Sequence, residues 1–114
     1  MNNVGKRSKR INSRKSLRRV ILSLLDKECE DAIDTNINMS VPWYLMASYA
    51  YYVEDNPLLS DSTFDRLAKK MLKNWNDIEH FHKHVISEDD LHAGSFLGEY
   101  PSRVKYALHS LRDR

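Results

Sequence analysis

Tyr51, Tyr52, Asp61, Phe64 and Asp65 fall within one sixteen-residue stretch, YYVEDNPLLSDSTFDR from Tyr51 to Arg66. Aromatic faces stack on flat rings, and a cationic ring is favoured further by their negative π-face. Carboxylates accept hydrogen bonds from ribose hydroxyls or from an amide. Gathered in one place, these side chains suit a flat, positively charged ring that carries a sugar. Each also has a plainer use. Tyrosines at helical spacing pack in cores, and an acid in a first helical turn complements the helix dipole. Pro57 and Ser60 are common turn residues.

The elements that must position these residues can be read from the same stretch. Ser40 is a candidate N-cap, with Pro42 in the first turn, where its missing N–H does no harm. A helix over about Val41–Val53 follows, rich in aromatics: Trp43, Tyr44, Tyr49, Tyr51 and Tyr52. Pro57 disfavours helix at Asn56 and predicts an extended link. Ser60 caps the next helix, roughly Asp61–Asn76, whose apolar face is Phe64, Leu67, Ala68, Met71 and Leu72. Two helices joined by a short proline-containing link make an αα corner, and the aromatic and acidic residues stand on its two sides.

The remaining pattern is helical too. Leu17, Val20, Ile21, Leu24 and Leu25 recur at the spacing of one helix face from about Ser16, and Ala32 and Ile33 extend it. Arg18 and Arg19 point off that face. Asn36–Met39 reads as a loop. Ser87 with Asp90 predicts a capping box and a short helical turn. Gly94, Gly98 and Pro101 mark a loop, after which Ser102 caps a last helix carrying Val104, Tyr106, Ala107, Leu108 and Leu111. No segment alternates as a strand does. The expected fold is all-α, a small bundle of four to five helices over residues 16–114, preceded by a basic disordered arm, residues 1–15.

At 114 residues the chain suffices for one domain. Its net charge of +2 hides a split. Residues 1–25 hold eight cations (Lys6, Arg7, Lys9, Arg10, Arg14, Lys15, Arg18 and Arg19) and no acid. The rest holds ten Lys/Arg against sixteen acids, a balance of −6. Such an arm suits nucleic-acid phosphates, since released counterions favour binding, and without an ordered reading element the contact would ignore sequence. No apolar run approaches the roughly 20 residues of a membrane span, and no signal-type stretch follows the basic start. Cys29 is the single cysteine, which excludes an internal disulfide and fits a reducing compartment, most simply the cytoplasm.

Other chemistry is thin. His80, His82 and His84 alternate in EHFHKH and would share one side of an extended segment, with Glu79 or His92 to complete a weak candidate metal site. Structural zinc sites usually add paired cysteines, and none exist here. Nothing orders a serine and a histidine into a nucleophile–base pair. Cys29 lies among Glu28, Glu30 and Asp31, which oppose a thiolate. No catalytic residue is assigned, and no Gly-rich phosphate loop is present.

The stretch from Tyr51 resembles the signature of the small helical domain at the N-terminus of NAD-dependent DNA ligases, over roughly residues 41–75. In that family the domain holds the nicotinamide mononucleotide (NMN) half of NAD during self-adenylation. The resemblance implies NMN or NAD as cofactor, with Tyr51 and Tyr52 as the paired aromatics and Asp61 and Asp65 as the acids. Asp55 and Pro57 match the turn between them. Phe64 stands where the family usually has tyrosine, so one hydroxyl is missing. A ligase also needs a lysine nucleophile in a Lys-x-Asp-Gly setting, and that motif does not occur here. Stand-alone segments of this kind look like small bacteriophage proteins, which would place the chain in the host cytoplasm.

The leading expectation is a non-catalytic accessory protein of DNA metabolism that contacts nucleic acid through its basic N-terminus. The alternatives are a nicotinamide-nucleotide binding module and a protein-interaction module docking on a ligase or another partner.

Overall fold

Residues Ser40–Tyr52 form helix α2, which is apolar almost all round. A helix of that kind has to be enclosed. Tyr44, Leu45, Val41 and Ala50 are fully buried, and Trp43 nearly so. Each large side chain removed from water contributes about 1.5–3 kcal/mol. α1, α3 and α5 pack against α2, and α4 packs on α3. In the computed structural model the described residues are 2–94, 96 and 98–114, with side chains described from residue 17 onward.

The chain order is α1 Asn2–Thr35, α2 Ser40–Tyr52, α3 Asp61–Lys73, α4 Glu88–Ala93 and α5 Ser102–Arg112. Short 3₁₀ turns at Ile37–Met39, Trp75–Asp77 and Lys83–Val85 join them. No strand occurs among the described residues, so the all-α bundle is borne out. No helix of the described residues is long and apolar enough to cross a membrane.

α1 begins earlier than the expected Ser16. The expected basic arm, residues 1–15 with Lys6, Arg7, Lys9, Arg10, Arg14 and Lys15, lies outside the residues whose side chains are described. The apolar face expected for this helix needs correction. Leu17, Val20, Ile21 and Leu24 are 48–64% exposed, and only Leu25, Cys29, Ala32 and Ile33 reach the core. The reason is rotation. At about 100° per residue, the buried set centred on Cys29 lies on a different side of the helix from the Leu17–Leu24 set.

Two expected caps are also corrected. Ser40 is the first residue of α2, because the 3₁₀ turn before it already holds helical backbone, and Met39 takes the cap position without a side-chain bond. Ser102 is the first residue of α5, and Pro101 occupies the cap. Of the residues read onto the last helix, Tyr106 is 72% exposed, while Val104 and Leu108 are buried. The cap at Ser60 is as expected, its hydroxyl accepting from the Thr63 N–H at 3.4 Å. So is the reciprocal Ser87–Asp90 capping box.

Candidate functional site

The corner is built from backbone constraints first. α2 ends at Tyr52, and the Val53 and Glu54 N–H groups donate to the Tyr49 carbonyl, at 2.9 and 3.1 Å. Asp55 then takes a left-handed backbone (φ 50°), a region that Asx residues tolerate better than most. Asn56 N–H donates back to the Ala50 carbonyl at 2.9 Å, and Pro57 stands in the extended link. Arg112 of α5 donates to the Asn56 carbonyl, and His109 meets Glu54 at 2.8 Å. The turn is thus tied to α5 as well as to α2.

Ser60 fixes the far side. Asp26 of α1 accepts from the Ser60 N–H at 2.9 Å and from its hydroxyl at 2.7 Å. The helix start is therefore clamped to α1 while it caps α3. Arg66 to Glu30 at 2.8 Å and Lys70 to Asp34 at 2.6 Å continue the α1–α3 seam. Asp61 and Asp65 then project from the exposed first turns of α3.

Between these two sides lies an open cavity of about 280 Å³. Tyr51 and Tyr52 line it from α2, and Asp61, Phe64 and Asp65 line it from α3. All five residues singled out from the sequence therefore share one pocket. Tyr51 and Tyr52 meet edge to face, ring centres 4.8 Å apart, and both remain 40–49% exposed. They are pocket walls with accessible faces. Phe64 differs, because its ring stacks on the fully buried Tyr44 at 5.1 Å and 18°. It belongs half to the core and half to the cavity.

Sequence reasoning missed the third wall. Ala93 and Gly94, at the end of α4, close the cavity opposite the corner. Gly94 adopts a left-handed backbone (φ 68°) as the cap of α4, and Tyr52 donates its hydroxyl to the Gly94 carbonyl at 3.5 Å. The glycine signal was legible as a helix end, but its approach to Tyr52 is long-range. Leu58 and Leu59 form the apolar floor.

The arrangement suits a flat cationic group. Two accessible tyrosine faces, two surface carboxylates and an apolar floor converge on one opening. Asp65 pairs with Lys69 at 2.9 Å, an exposed i,i+4 contact. Such pairs are worth little, so the carboxylate can exchange this partner for a ligand.

The other candidates fare differently. His80–His84 is folded into turns rather than extended; the His80 and His82 rings lie 5.6 Å apart, while His84 packs against Phe81. His80 Nδ1 accepts from the His82 N–H at 3.0 Å, and His84 Nδ1 lies 2.9 Å from the Phe81 carbonyl. Burial, then the neighbouring His82, lowers the His80 pKa. Among the described residues no group of three or more His, Cys, Asp or Glu is gathered as metal ligands. Cys29 is buried, and burial followed by Asp26 and Glu30 pushes its thiol up to about 12, which keeps it protonated. Of the cations assigned to nucleic acid, Arg18 and Arg19 are described and exposed.

Residues 45–90 match the family model described as DNA ligase-like, N-terminal NAD+-binding domain. The match takes in all five pocket residues and extends past α3 into the first turn of α4. A DNA ligase from Psychrobacter arcticus is 41% identical over 44 residues, which is 39% of this chain and 6% of that relative. The chain thus corresponds to a small part of the length of the relative it matches. No solved structure gives a significant match. The ligase-type resemblance of the corner is borne out, and what is matched is the N-terminal domain, not an adenylation domain.

Proposed function

We propose that this chain binds a nicotinamide nucleotide, NMN or the NMN half of NAD, at the α2–α3 corner, and that it carries out no ligation by itself. The observation that carries this is the convergence of Tyr51, Tyr52, Asp61, Phe64 and Asp65 on one open cavity. The matched NAD+-binding family description supports the same ligand class. One of the two tyrosine faces stacks on the pyridinium ring and the other, set at 80° to it, meets that ring edge-on, while Asp61 and Asp65 accept from the ribose hydroxyls or the carboxamide.

Calorimetric titration with NMN and with NAD tests the reading. The expected result is saturable heat with NMN, lost in Tyr51→Ala and in Asp65→Ala while helix content is unchanged. Absence of heat and of thermal stabilisation at millimolar ligand overturns it.

A second reading is favoured by the charge split. The eight cations of residues 1–25 support contact with nucleic-acid phosphates, consistent with an accessory role in DNA metabolism. Fluorescence anisotropy with labelled DNA at low salt is expected to show binding that weakens steeply with salt and on removal of residues 1–15. Equal affinity in the shortened chain overturns this reading.

A further inference from the structure

The exposed stripe of α1 has no function in either reading. Leu17, Val20, Ile21 and Leu24 are 61%, 53%, 48% and 64% exposed and lie on two consecutive turns of one helix side. Scattered exposed apolar residues are ordinary, but four at contiguous helical positions form a patch that water disfavours. The stripe faces away from the body. Leu25, Cys29 and Ile33 turn inward, and Asp26, Glu30 and Asp34 bind Ser60, Arg66 and Lys70 on that inner side. No rearrangement within the chain is needed for the stripe to be covered from outside.

The charge order along α1 identifies the occupant. Residues 1–25 carry cations and no acid, whereas residues 26–35 hold five acids and one lysine. We infer that α1 pairs antiparallel with α1 of a second copy of this chain, about a two-fold axis between Val20 and Ile21. In that register Leu17 meets Leu24 of the partner subunit, and Val20 meets Ile21 of the partner subunit. The same operation lays Glu28 and Asp31, the acids on the stripe's side of the helix, beside the basic stretch 6–15 of the other copy. The contact is self-complementary in both apolar pattern and charge, as an isologous interface requires. A parallel pair would set cation against cation.

Competing occupants fit less well. A phosphate backbone has no use for an apolar stripe. An anionic lipid surface would meet Glu28 and Asp31, which continue the stripe's side of the helix toward its C-terminal end. Those two acids already touch Arg114 and Lys27 in exposed pairs, which cost little to exchange. Arg18 and Arg19 point off the stripe and remain open to other partners.

Sedimentation equilibrium of the full chain over a concentration series tests the pairing. The expected species has twice the 13.4 kDa chain mass and dissociates in Ile21→Asp, with helix content retained. Should that variant fail to fold, Leu17→Gln gives the same readout. Orientation is read from spin labels on Thr35→Cys, since the native Cys29 is buried. Antiparallel pairing places the labels about 40 Å apart, from the helical rise between paired positions. A chain that stays monomeric, a dimer indifferent to both stripe variants, or labels only about 10 Å apart, the spacing of parallel helices, overturns the inference. So does a monomer whose stripe binds phosphatidylserine vesicles instead.

Discussion

At Phe64 the two uses of one side chain compete. Its ring stacks on Tyr44, which anchors it, and its outer side lines the cavity. A phenylalanine gives the pocket a face but no hydrogen bond. Phe64→Tyr therefore adds a hydroxyl at the site of the missing family contact without disturbing the stack. A hydrogen bond made there is worth about 1 kcal/mol, so NMN affinity is expected to rise roughly fivefold to tenfold. Unchanged affinity measured by calorimetry means that the hydroxyl finds no partner on the ligand. Asp65→Asn is the complementary change. It keeps the shape and removes the charge, so it should weaken a cationic pyridinium ligand more than it weakens a neutral nicotinamide riboside analogue with a reduced ring. Equal weakening for both, in parallel titrations, argues that Asp65 acts by hydrogen bonding alone.

Ser60 shows how much an element depends on one residue. Its hydroxyl caps α3, and its N–H and hydroxyl both reach Asp26 of α1. Replacing a serine N-cap by alanine costs about 0.5–2 kcal/mol, and the lost Asp26 contact adds to that. Ser60→Ala is expected near the upper end, about 2 kcal/mol, in urea unfolding, and a loss of only a few tenths would show the clamp to be superfluous. This cap was legible in the sequence because capping is local and αR backbone does not precede it. The caps at Ser40 and Ser102 were misread for the converse reason. A 3₁₀ turn in one case and Pro101 in the other shift the helix start by one residue, and cap preferences alone cannot resolve that shift. The same division runs through the site. Tyr51, Tyr52, Asp61 and Asp65 were legible since they share a short stretch, whereas Gly94 lies forty-two residues from Tyr52 and meets it only through packing. The α1 stripe looked like core because periodicity reports an apolar face without saying what covers it.

The whole molecule is linked to pH through its buried acids. Cys29 from α1, Tyr44 from α2 and Tyr100 before α5 are held neutral in the fold, mainly by burial. Burial lifts Cys29 from 9.0 to about 12 and Tyr100 from 10.0 to about 12, and it moves Tyr44 upward as well. Between the ordinary and the raised values the unfolded chain has released protons that the folded chain still holds. Stability must then fall as pH rises, because the unfolded state binds fewer protons. The stabilisation is complete below about pH 9, where neither state has lost these protons, and declines from there toward pH 12. Thermal melts across this range are expected to show a flat midpoint up to about pH 9 and a progressive drop beyond it. Cys29→Ala separates the contributions. It lowers the midpoint at neutral pH by leaving a small cavity, yet it removes the thiol's share of the slope, so the decline should begin nearer pH 10, the ordinary value of the buried tyrosines. A variant whose decline still begins at pH 9 would show that a group other than Cys29 carries it.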